Sequence, residues 1–83
     1  MNFQLSKEEF SLFNLQTRLD FTSRFGTFRG RRFLSAHHCM SLYQLNDFYV
    51  EILYDVKMER QLEVSLVVKT GLLKLYEMHR EYD

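Results

Sequence analysis

Proline and tryptophan are absent from this 83-residue chain, glycine occurs three times and cysteine once. A lone cysteine cannot close an internal disulfide, which points to a reducing compartment. No apolar run approaches the roughly 18–20 residues that a membrane-spanning helix requires. The N-terminal MNFQLSKEEF lacks the basic n-region of a secretory signal. A cytoplasmic protein that does not enter a membrane is therefore expected. No repeat, low-complexity stretch or Pro/Gly-rich linker divides the sequence, so one domain over 1–83 is expected. There is also no glycine-rich phosphate loop, no G-x-S-x-G elbow and no pair of CxxC motifs. Neither an enzyme nor a bound cofactor is expected.

Aromatic residues are plentiful, with eight Phe and five Tyr. Each can bury about 150–250 Å², which offsets the small core of a chain this short. Net charge is zero, but the charges are segregated. Residues 21–46 carry Arg24, Arg29, Arg31 and Arg32 with no carboxylate, while acids outnumber bases in the second half. A neutral total argues against wholesale coating of nucleic acid, yet a local basic block can hold an anionic partner.

The stretch Phe48-Tyr49-Val50-Glu51-Ile52-Leu53-Tyr54-Asp55 organises the rest. Its even positions are all apolar, the period-2 pattern of a strand with one face on a core. Upstream, Ser6 and Glu9 form an S-x-x-E capping box with Leu5 and Phe10 placed as a hydrophobic staple. The apolar spacing that follows predicts either two short helices, 7–13 and 15–25 with a break near Asn14, or one bent helix. Gly26 suits a left-handed position after the helix, and Gly30 a corner after a short strand. The next strand spans about 36–45, and Asn46-Asp47 turn it into the central one. Leu45 then faces Phe48, Tyr43 faces Val50, Ser41 faces Ile52 and Cys39 faces Tyr54. Leu62, Val64, Leu66 and Val68 alternate in a further strand, whose parity calls for a loop of three or five residues before it. Thr70 caps a last helix with Leu72, Leu75, Tyr76 and His79 on its apolar stripe and Arg80 favouring its dipole. The sum is an α+β domain: an N-terminal helix or helix pair, a three- to four-stranded antiparallel β-meander, and a C-terminal helix. The sheet face opposite the core shows Met40, Leu42, Tyr49, Leu53 and Val67, too apolar to stay solvated, so a helix or another chain should cover it.

The run from Gly26 to Asp55, GTF…SLYQLNDFYVEILYD, resembles small α+β proteins of Bacteroidota of unknown function with the form GTF…NLYLLGDFFVEVYYD. It spans residues 26–55 of the 83 and departs at Asn46, where that form has glycine, and in the arginine-rich 29–32 stretch. The resemblance implies the helix-plus-meander fold and a bacterial or phage source. It brings no activity and no site residue.

Two surfaces are candidates for partner binding. One is the segment 24–33, where Arg24, Arg29, Arg31 and Arg32 alternate with Phe28 and its neighbours: guanidinium forks bind phosphate or carboxylate, and rings stack on bases. The other is the sheet face marked by Tyr49 and Leu53. His37-His38-Cys39 cannot converge on a metal, because His38 points away from the other two on a strand and structural zinc needs four ligands. Cys39 and His37 stand too far apart for a nucleophile–base pair. Glu51, Asp55 and Glu63 share the solvent-side face.

The expected function is thus a non-enzymatic macromolecular interaction protein. Its concrete form is a small phage- or mobile-element-type inhibitor of a bacterial nucleoprotein effector, anti-CRISPR-like, with a protein or ribonucleoprotein partner. The alternatives are a direct RNA- or DNA-binding regulator using segment 24–33, and a homodimeric scaffold.

Overall fold

The computed structural model describes residues 5–68 and 70–80, with the side chains of residues 70 and 77–80 outside the description. Its elements are α1 (Lys7–Ser11), α2 (Leu15–Phe25), β1 (Thr27–Phe33), β2 (His38–Leu45), β3 (Phe48–Asp55), β4 (Arg60–Leu66), a 3₁₀ turn (Thr70–Leu72) and α3 (Leu73–Arg80). The strands form one antiparallel sheet in the order β1-β2-β3-β4. This is the expected α+β meander between terminal helices. No helix among the described residues is long and apolar enough to cross a membrane.

The N-terminal region is two helices. Ser6 accepts from the Glu9 N–H while Glu9 accepts from the Ser6 N–H, which completes the capping box. Asn14 then caps α2 by accepting from Thr17 N–H at 2.9 Å. Arg18 ties the pair to the sheet, donating to the carbonyls of Ser11, Phe13 and Val64. The core lies between these helices and one sheet face: Phe10, Leu45, Phe48, Val50, Ile52 and Val64 are buried, with Phe13, Leu19 and Phe21 packed on them. Thr22 is fully buried too, and its hydroxyl has no hydrogen-bond partner among the described residues. An unsatisfied buried hydroxyl costs about 1–3 kcal/mol. Thr22→Val keeps the branched shape and should stabilise the protein by about 1 kcal/mol. A denaturation midpoint that stays put or falls would show that the hydroxyl is satisfied in solution.

The β2–β3 register matches expectation at every pair: Leu45 with Phe48, Tyr43 with Val50, Ser41 with Ile52 and Cys39 with Tyr54. Asn46 supplies the positive φ of 58° that the tight turn demands. Three local expectations are corrected. Gly26 is extended (φ −80°, ψ 146°) rather than left-handed, because β1 starts immediately after α2. Gly30 lies inside β1, beside a bulge between Phe28 and Gly30, where the Tyr76 ring packs onto its backbone. The β3–β4 loop has four residues, 56–59, and a second irregularity between Leu53 and Tyr54 restores the parity that places Val64 opposite Ile52.

On the opposite sheet face α3 packs along β1, and its Tyr76 reaches across to Glu51 of β3. A 3₁₀ turn precedes α3, so Thr70 lies in that turn and not directly before the helix. Of the expected apolar stripe, Tyr76 is buried and Leu75 is exposed. His79 and Arg80 have side chains outside the described set.

Candidate binding surface at the open end of the sheet

The residues of segment 24–33 do not form one surface. Arg24 lies exposed in the last turn of α2, where its charge complements the helix dipole. Arg29, at the β1 bulge, is clamped by Gln44: Nε and Nη2 donate to Oε1 at 3.0 and 2.6 Å. Arg32 turns to the α3 side and pairs with Glu51 at 3.2 Å, its guanidinium 5.6 Å from the Tyr76 ring centre. On β1, Arg31, Phe28 and Phe33 point to the sheet face that carries α1 and α2, with the Arg31 guanidinium 5.7 Å from the Phe28 ring centre and Phe28 edge-on to Tyr43. The alternation of a strand explains the division.

The α3-side face holds the rest. Glu51 is 5 % exposed and accepts hydrogen bonds from Arg32 and the Tyr76 hydroxyl. It therefore shares a face with Asp55 and Glu63 as expected, yet Tyr76 covers it. Burial and the bond to Glu51 raise the Tyr76 pKa well above its ordinary 10.0. Burial pulls the Arg32 pKa down, but the bond to Tyr76 and the charge of Glu51 outweigh it and the net shift is upward. This triad anchors α3, so Arg32 has a structural duty and is not a free binding group. Leu53 is half-buried between Met40 and Glu63. Tyr49 sits at the other end, in a concavity of about 380 Å³ beside Lys7, Val68 and Leu73.

At the far end of the helix-side face the sheet outruns its helices. A trough of about 430 Å³ opens there. Cys39 and Ser41 of β2 make its floor. Phe33 and Arg31 stand along one side on β1, Tyr54 and Gln61 along the other on β3 and β4. Phe33 and Tyr54 flank Cys39 in one row across the sheet. Phe33 is 58 % exposed, and the two loops at this end add exposed Leu34, Val56 and Met58. Those loops are joined by a Val56 N–H to His37 carbonyl bond of 2.7 Å. Arg31 is the only charged residue lining the trough among those described.

The same loops bring Ser35, His38 and Asp55 together. Ser35 Oγ lies 3.2 Å from His38 Nδ1, and His38 Nε2 lies 3.9 Å from Asp55 Oδ2. The order imitates a nucleophile, base and orienting acid, but 3.9 Å is too long for the hydrogen bond that would fix the imidazole. Ser35 Oγ also accepts from the His37 N–H, and Asp55 Oδ1 accepts from the Lys57 and Met58 N–H groups. The Met58 bond, with help from His38 and Lys57, holds the Asp55 pKa below its ordinary value. These contacts clamp two loops. Cys39 is buried opposite Tyr54, and no group of metal-ligating side chains forms among the described residues.

Of the residues singled out from sequence, the trough includes Arg31 and is flanked by Phe28. Phe33 ends the candidate segment 24–33 without being named as a site residue, and Ser41, Tyr54 and Gln61 were not singled out. The register already aligned Cys39 with Tyr54, but nothing in the pattern showed that the helices stop short of that row. Comparison with family models, curated proteins and solved structures found no match.

Proposed function

We propose that the protein is a non-enzymatic binding module that holds a protein or ribonucleoprotein partner on the trough. One observation carries this reading: an aromatic-walled concavity at the uncovered end of the core sheet face, bordered by exposed Leu34, Val56 and Met58. Contiguous exposed apolar surface around a recess marks interaction sites, and Phe, Tyr, Met and Arg are the residue types enriched in them. The Val56 N–H to His37 carbonyl bond ties together the two loops that border this end. A finer form is a small inhibitor of a bacterial nucleoprotein effector, anti-CRISPR-like, that acts by occupying its target. Its support is one of character, a short chain with an arginine on the trough and carboxylates on the opposite sheet face, since fold does not assign function.

The test is affinity capture from bacterial extract with wild type and with Phe33→Ser/Tyr54→Ser, after matching their thermal stability. A species held by wild type and lost by the double variant is the expected result. Equal capture by both removes the trough as the working surface.

A further inference from the structure

We infer that the trough receives single-stranded RNA, one unpaired base lying between Phe33 and Tyr54 with its phosphate beside Arg31. This rests on the trough being the working surface and names what fills it. The first ground is spacing. Phe33 and Tyr54 belong to β1 and β3, with Cys39 of β2 between them in the same row. Two strand spacings separate the walls by about 9–10 Å. A planar ring midway would lie about 4.5–5 Å from each wall, within the range of stacked or tilted aromatic pairs. Cys39 and Ser41 are the small floor that leaves the space clear.

Charge is the second ground. The sheet keeps the carboxylates Glu51, Asp55 and Glu63 on the α3 side, where Arg32 pairs with Glu51, whereas Arg31 stands in the trough with no carboxylate among its described lining residues. The Arg31 contacts, Ser41 Oγ at 3.4 Å and the Phe28 ring at 5.7 Å, orient its guanidinium without neutralising it. An anion complements that site, and stacking beside an arginine is how single strands are held. The third ground is hydrogen bonding. The Ser41 hydroxyl lies on the floor, one core-face row from Cys39, and the Gln61 amide stands beyond Tyr54 in the row of Phe33 and Cys39. Each can bond a ribose 2′-hydroxyl, which DNA lacks. A duplex keeps its bases stacked inside and cannot offer one to the trough.

The experiment is fluorescence anisotropy of a labelled 12-mer oligouridylate titrated with the purified chain. The same sequence as deoxy-oligomer and as RNA duplex runs beside it. Single-stranded RNA should bind more tightly than either. Phe33→Ala and Tyr54→Ala should each weaken binding by about tenfold, the usual yield of one base–aromatic stack. Arg31→Ala should also flatten the salt dependence by about one phosphate contact. Val68→Ala, 80 % exposed and in the other concavity, should change nothing. No binding of the RNA, equal affinity for DNA or duplex, or unchanged affinity in the Phe33 and Tyr54 variants overturns the inference. If RNA fails while capture of a protein from extract still depends on Phe33 and Tyr54, the RNA assignment falls and the binding-module reading stands. Loss of both dependences removes the two together.

Discussion

Glu51→Lys should unfold the protein. The position looks like a solvent-side strand residue, since its neighbours Val50 and Ile52 face the core. Yet Glu51 is itself 5 % exposed, beneath Tyr76 and beside Arg32. Lysine there would set a second cation against Arg32 and remove the acceptor of the Tyr76 hydroxyl. Breaking a buried pair costs about 3–5 kcal/mol because the remaining charge is left without its partner. The new ammonium, buried beside Arg32, adds a desolvation cost of several kcal/mol, and the sum is comparable with the roughly 4–12 kcal/mol that a domain of this size has. Glu51→Gln keeps an acceptor in place and should lose less. A wild-type midpoint for Glu51→Lys would mean that Tyr76 of α3 does not close over Glu51. The pH dependence provides an independent reading. Folding raises the Tyr76 pKa above 10.0, so the folded chain keeps a proton that the unfolded chain releases. The contribution is complete below pH 10.0 and is lost as pH climbs from there toward the folded value. Tyr76→Phe should remove that alkaline loss from the stability profile.

Much of the fold follows from short-range rules, and the candidate site does not. The capping box at Ser6, the helix break at Asn14 and the β2–β3 pairing each depend on a few neighbouring residues whose chemistry is decisive. Parity across β3–β4 was legible as a requirement but not in its solution: a four-residue loop joined to a bulge satisfies it as well as an odd loop would. Gly30 illustrates a different limit. A glycine in a basic strand suggests a corner, but its reason is the Tyr76 ring, more than forty residues away in sequence. The same distance hid the triad, because Arg32, Glu51 and Tyr76 come from three elements. Strand alternation assigned Glu51 to the correct face and could not show that α3 covers it. The arginine block was legible as charge and not as a surface, since adjacent strand residues part company. What remained invisible was the length by which the sheet outruns α1 and α2, which decides that Phe33 and Tyr54 stand open.

Phe10→Ala should have the next largest effect. Helix α1 has five residues, far too short to persist on its own. It is held by the capping box, by the Arg18 bond to the Ser11 carbonyl, and by the Phe10 side chain, which is fully buried. The Phe10 ring lies 5.8 Å from Phe13 and Phe48, 6.3 Å from Phe21, and 5.8 Å from the Arg18 guanidinium. Removing it leaves a cavity where four side chains meet, at about 3–5 kcal/mol. In a domain of this size that lowers the melting temperature by roughly 15–30 °C. Leu12, only two residues on, is 85 % exposed, and Leu12→Ala should stay within about 0.5 kcal/mol of wild type. Equal losses in both variants would mean that α1 does not dock through Phe10. The trough lies at the other end of the sheet and Phe10 does not line it. Below its melting temperature the Phe10 variant should therefore bind as wild type does, the reverse of Phe33→Ala, which should melt normally and bind poorly.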